Sequence, residues 1–263
     1  VAGKQAFGFN TPFFEQLEFF RNKVNLPTQR WDDIIREAHD RAFIVAGAEK
    51  ADLLADLNQA VAKAIEQGKG LQEFRRDFKA IVQKHGWTGW AGEGSKGGEA
   101  WRTRVIYQTN MATSYAAGRY KQLTDPEYLK LRPYWRYVHN DSVMHPRPHH
   151  QAWGNMRLTL RYDHPFWQTH FPPNGWGCMC RVVPVEAPRD GDATEPPDGW
   201  DERNDKGSIP GIDQGFDYAP GASLADELLG FIETKLATLP EAISADLADD
   251  LREFGGDFLS PEY

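Results

Sequence analysis

The polar chemistry of this chain is concentrated in two short stretches. The first runs Val138-His139-Asn140-Asp141-Ser142-Val143-Met144-His145-Pro146-Arg147-Pro148-His149-His150, with Gly154 a few residues on. The second is Phe171-Pro172-Pro173-Asn174-Gly175-Trp176-Gly177-Cys178-Met179-Cys180-Arg181-Val182. Two thiolates from Cys178 and Cys180, with nitrogens from His145 and from His149 or His150, would make the soft tetrahedral set that zinc prefers. A loop-rich region with little regular structure gains much from such a clip. Residues two apart on an extended strand share a face, so both thiols can point at one ion or equally into one core. A disulfide across so short a loop would be strained, and the two cysteines are read as reduced. Asp141, His145, Arg147 and His149 have the types needed for an acid, a base and a phosphate clamp. Two prolines stiffen that loop, however, and an arginine between prolines more often makes fixed hydrogen bonds to carbonyls or carboxylates. Asp141, Arg147 and His150 are therefore read as a polar motif, and no catalytic residue is assigned.

Charge and composition narrow the setting. The net charge of −8 argues against wrapping nucleic acid as the main task. Between Glu99 and Arg181, however, 11 Lys/Arg face 5 Asp/Glu, a balance of +6 that leaves −14 for the rest, and six of the eight histidines fall there. With 40% apolar and 13% aromatic residues there is material for a real core. Trp135, Tyr137, Trp153, Phe166, Trp167 and Trp176 lie in the basic stretch and could offer a stacking platform. A small sheet with long loops fills its core with such residues, and that is the stronger reading. No apolar run approaches the roughly 20 residues that span a bilayer. The first residues show no signal-like stretch, so a soluble protein made in the cytoplasm is expected.

The elements that must position these residues follow from periodicity. Thr11-Pro12 reads as a helix start. Trp31, Ile34, Ile35, Ala38, Ala42 and Val45 predict a helix from Thr28 to Ala46, closed by Gly47. Leu53, Leu54, Leu57, Val61, Ala64 and Ile65 predict another, stopped by Gly68; Leu71, Phe74, Phe78, Ile81 and Val82 a third, ending at Gly86. Residues 86–98 are glycine-rich and are expected to form a mobile loop. They lack the Gly-Lys-Ser/Thr ending of a phosphate cradle. A long helix follows from Glu99 to Leu123. Strands are expected at Tyr134–Val138, Leu158–Arg161 and Arg181–Val185. The acidic, proline- and glycine-rich stretch after Val185 reads as extended, and helices return at Leu224–Leu236 and Pro240–Phe254.

The order Asp141, Arg147, His149, Gly154, then Pro172-Pro173 with Cys178-x-Cys180-Arg181-Val182, resembles the core signature of the Mu F-type minor head proteins of tailed bacteriophages. The helix Arg102–Arg119 and the turn Gly215-Phe216-Asp217-Tyr218-Ala219-Pro220-Gly221 resemble the elements before and after that signature. Many members carry Cys-x-x-Cys where this chain has Asp141 to His150, so metal ligands here would be different residues. The resemblance implies a structural, non-enzymatic minor capsid protein for head morphogenesis, located in the head interior after assembly in the host cytoplasm. Its implied partners are the portal protein or the major capsid protein, with contact to packaged DNA. A metal- or His-dependent nuclease and an injected effector are the alternatives.

The expected fold is α+β: a helical N-terminal region (1–98), a core of small mixed sheet and long loops on a long helix (99–185), an acidic extended linker (186–222) and a helical tail (223–263).

Overall fold

A computed structural model describes residues 12–143, 146–222, 235–241, 243–245 and 247–248. Helix α1 (Phe14–Arg21) is followed by strand β1 (Val24–Asn25), a 3-10 turn at Arg36–Asp40 and strand β2 (Ala42–Phe43). Then come α2 (Ala51–Gln67), α3 (Leu71–His85), α4 (Lys96–Leu123) and α5 (Pro126–Leu131). The remainder alternates: β3 (Tyr134–Val138), α6 (Pro148–Asn155), β4 (Thr159–Arg161), α7 (Phe166–His170) and β5 (Arg181–Val185). The chain is α+β, as its patterning implies. No helix among the described residues is long and apolar enough to cross a membrane.

Helices α2 and α3 form where their stripes predict. Leu53, Leu54, Leu57, Val61 and Phe74 are essentially fully buried. Gly68 and Gly86 end the two helices with φ of 64° and 57°, the left-handed cap that L side chains resist. Helix α1 lies across α4, where Gln16 donates to Ser114 Oγ (3.0 Å). Gly118 permits that approach, since a Cβ there would sit 2.7 Å from the Gln16 nitrogen.

Two sequence expectations are corrected. Residues 28–46 are not a helix. Arg36 has φ of 56°, which no right-handed helix accommodates, and Ala42-Phe43 pairs in parallel with Val24-Asn25. Ile34, Ala38, Ala42 and Val45 are buried nonetheless. Their three- and four-residue spacing reflects burial of an irregular segment, and the apolar run Ala42 to Val45 suits a strand as well as a helix. The glycine-rich stretch is likewise not a loose loop. Trp87 Nε1 donates to Gly47 O (3.1 Å), Trp90 is buried edge-on against Phe78, and α4 already starts at Lys96 with Ser95 as its cap. Its glycines serve packing: a Cβ on Gly98 would collide with the Gly92 carbonyl.

Helix α4 joins two cores. Its first half contributes Ile106 to an aliphatic and phenylalanine cluster with α1, α2 and α3. Its second half contributes Ala116 and Leu123 to an aromatic cluster with Trp135, Tyr137, Trp153, Phe166, Trp167 and Phe171. The second cluster lines the antiparallel sheet β4-β3-β5, in which Trp135 opposes Leu160 and Pro184. Alternation along β3 buries Trp135 and Tyr137 and turns Arg136 aside. These rings fill the core and are not a stacking platform for nucleic acid; only Trp176 of the six is substantially exposed.

The acidic stretch 186–222 has neither helix nor strand, yet it is firmly attached. The side chain of Asp192 is fully buried and pairs with Arg136 and Arg157, while Ile209 and Ile212 enter the aromatic core. The expected Thr11 helix start lies outside the described residues, as does most of the expected tail. Within the tail, 235–238 are helical and Leu247 is buried beside Val24 and Leu26.

Candidate functional site

The site forms where the loop after β3, the first turn of α6, the turn before β5 and the 211–213 segment meet. Pro148 opens α6, a position where the missing N–H costs nothing. That phase of the helix sends His150 inward and His149 outward: His150 is buried, His149 exposed. His150 stacks on Trp153, with ring centres 5.3 Å apart at 20°. Its Nδ1 lies 3.7 Å from Cys178 Sγ and 3.6 Å from Cys180 Sγ. Its Nε2 lies 2.7 Å from Gly211 O. Cys178 is held by its backbone N–H donating to Gly175 O (3.0 Å), and Cys180 directly precedes β5. All three donor atoms fall within 4.8 Å of one another.

A second constellation adjoins the first. The Arg147 guanidinium donates to Asp213 Oδ2 (2.7 Å) and to Trp176 O (3.1 Å), and Trp176 N–H donates to the same carboxylate (2.9 Å). A Cβ on Gly175 would strike both the guanidinium and the carboxylate, so glycine is required there. Tyr137 O–H donates to Asn174 Oδ1 (2.8 Å), and burial raises its pKa well above the ordinary phenol value. Asp141, largely exposed, lies 2.9 Å from Nδ1 of the buried His139. Gly154 packs against His139, where a Cβ would come within 2.6 Å of the histidine Cβ.

Of the sequence candidates, the structure brings together Cys178, Cys180 and His150, and places Arg147 beside them. His149 stands apart, against Trp153 and Gly211. Asp141 pairs with His139 away from the thiols, and His145 lies outside the described residues. Sequence reasoning missed Asp213, Asn174 and the Gly211 carbonyl. Asp213 is 66 residues from Arg147 and sits in a stretch whose composition reads only as extended, so no local signal marked it. The Gly215–Gly221 turn also gains a role. Asp217 accepts from Arg36 and Arg203, and Gly221 N–H donates to Asp40 Oδ2 (2.7 Å), tying the N-terminal segment to the second core.

A helical platform carrying a three-stranded sheet, with a Cys/His group and an Arg–Asp clamp under crossing loops, defines the architecture. No solved structure matches the chain. The family described as phage Mu protein F like matches residues 55–183, from α2 to β5. A protein of Escherichia phage Mu, named as capsid assembly protein F, is 38% identical over 194 residues, covering 70% of this chain and 43% of that protein. The F protein of the Mu-like prophage FluMu of Haemophilus influenzae is 40% identical over 159 residues, covering 59% of this chain and 37% of its own length. Residues 55–183 belong to the Mu protein F-like family. The chain spans about two fifths of the length of the curated relatives it matches.

Proposed function

We propose that this chain is a structural component in assembly of a tailed-phage head, associated with the portal or with the inner face of the major capsid protein. The observation that carries this reading is the 38% identity to a protein named for capsid assembly. The site geometry supports it. Arg147 is engaged by Asp213 and a backbone carbonyl, His150 by Gly211, and His139 by Asp141, so these groups hold loops together instead of facing a substrate. A protein of this kind resides in the virion, and its +6 stretch is the part suited to touch packaged DNA.

The test is to remove the chain's reading frame from the phage or prophage that encodes it and image the particles. The expected outcome is aberrant or empty heads, restored by supplying the chain in trans, together with its detection in purified wild-type heads by mass spectrometry. Normal infectious heads without the chain, and its absence from wild-type heads, would overturn the proposal.

A further inference from the structure

We propose that His150 Nδ1, Cys178 Sγ and Cys180 Sγ form a zinc site that clips the turn before β5 to helix α6. This inference is independent of the assembly role. Three observations lead to it.

First, the His150 tautomer is set. The Gly211 carbonyl can only accept, so the nitrogen 2.7 Å from it carries the proton and Nδ1 presents its lone pair to the sulfurs. A metal-bound histidine is oriented in this way, its second nitrogen donating to a carbonyl or carboxylate. Second, a single lone pair can accept only one S–H, yet both sulfurs lie at nearly the same distance from it, 3.7 and 3.6 Å. Zinc–sulfur and zinc–nitrogen bonds of about 2.3 and 2.0–2.1 Å at a tetrahedral angle separate the donors by about 3.6 Å. Each sulfur therefore already stands from the nitrogen at the edge length of a zinc tetrahedron. Third, the group is enclosed yet reachable. His150 and Cys178 are buried, and both cysteines border a cleft against α4 of ≈ 650 Å³, lined also by Met111, Tyr115 and Phe171, through which an ion and water can enter. No further Cys, His, Asp or Glu among the described residues joins the three, and water completes the coordination.

Both thiols give up their protons on binding, and the two negative charges are neutralised by the ion in a core that otherwise disfavours charge. The ligands come from elements 28 and 30 residues apart. The ion would thus fix the loop that also carries Trp176 and the Arg147–Asp213 clamp.

The full chain, reduced and equilibrated with zinc, is expected to hold about one ion per molecule by elemental analysis, one tetrahedral site being present. Because the chain has just two cysteines, a mercurial should release that zinc as two thiols are titrated. Cobalt substitution should show thiolate charge-transfer bands, reduced by roughly half in Cys180→Ser, as expected for loss of one of two thiolate ligands. Cys178→Ser and His150→Ala should lose the ion and His149→Ala should keep it. Should His150→Ala fail to fold, the wild-type cobalt spectrum and mercurial release still decide. Zinc below about a tenth of an equivalent after reconstitution, or cobalt bound without thiolate bands, would overturn the proposal. So would loss of zinc in His149→Ala with retention in His150→Ala.

Discussion

The two cores on helix α4 are built on different principles. The N-terminal one is aliphatic and phenylalanine-rich, assembled from helices that follow one another closely in the chain. The second packs tryptophans around buried His150, His170 and Asn174, and is held by charged pairs between distant segments. The first depends on shape and area. The second depends on specific polar partners, each of which becomes costly when its mate is removed.

The largest loss of stability is expected at Asp192. Asp192→Ala leaves Arg136 without its carboxylate in a largely buried setting and should cost about 3–5 kcal/mol in denaturant unfolding. Leu57→Ala in the helical core should cost about 2–5 kcal/mol, through lost burial and a cavity. Changes that preserve volume separate the two cores. Leu57→Met should cost less than about 1.5 kcal/mol, whereas Asp192→Asn should remain clearly worse. Equal tolerance at both sites would remove the distinction.

Acidity should act on the second core and on the Arg36–Asp40 turn of the N-terminal segment in opposite senses. Burial lowers the His170 imidazole to about 3 from its ordinary 6.5. The unfolded chain then takes up a proton that the native state refuses, so this contribution is intact above pH 6.5 and is lost as pH falls toward 3. Burial raises the Asp40 carboxyl to about 7 from 3.8, against the pull of Lys23. Its contribution is present below pH 3.8 and is lost as pH rises through 7. At about 1.4 kcal/mol per pH unit, either amounts to a few kcal/mol at its extreme. Thermal unfolding of His170→Leu should flatten the acid limb of the stability profile, and Asp40→Asn the neutral limb. Unchanged limbs in both variants would sink this reading.

The smallest effect is expected at the cap of α2. Gly68→Ala meets no atom within 4 Å, so only its φ of 64° opposes the substitution. A loss of about 1 kcal/mol is expected. A Tm above that of wild type would show that the cap is not needed.

Helices α2, α3 and α4 and strands β3 and β5 were legible because stripes, cap glycines and β-branched runs act locally. Residues 28–46 were not, because this irregular segment happens to bury its apolar side chains at the three- and four-residue spacing a helix would use. In the candidate site, the two thiols and the Pro148-His149-His150 run were visible. Which histidine meets the thiols was not, since adjacent residues differ by about 100° around a helix and only the starting phase of α6 separates them.

Local patterning therefore carries the helical core, the strand positions, the family resemblance and the list of polar residue types available for a site. Tertiary structure alone decided that His150 faces Cys178 and Cys180, that Asp213 clamps Arg147, and that Asp192 is buried between two arginines. The reason is range. Periodicity and capping are set within a few residues, whereas these contacts join segments 28 to 66 residues apart, whose meeting depends on how the loops close over the aromatic core.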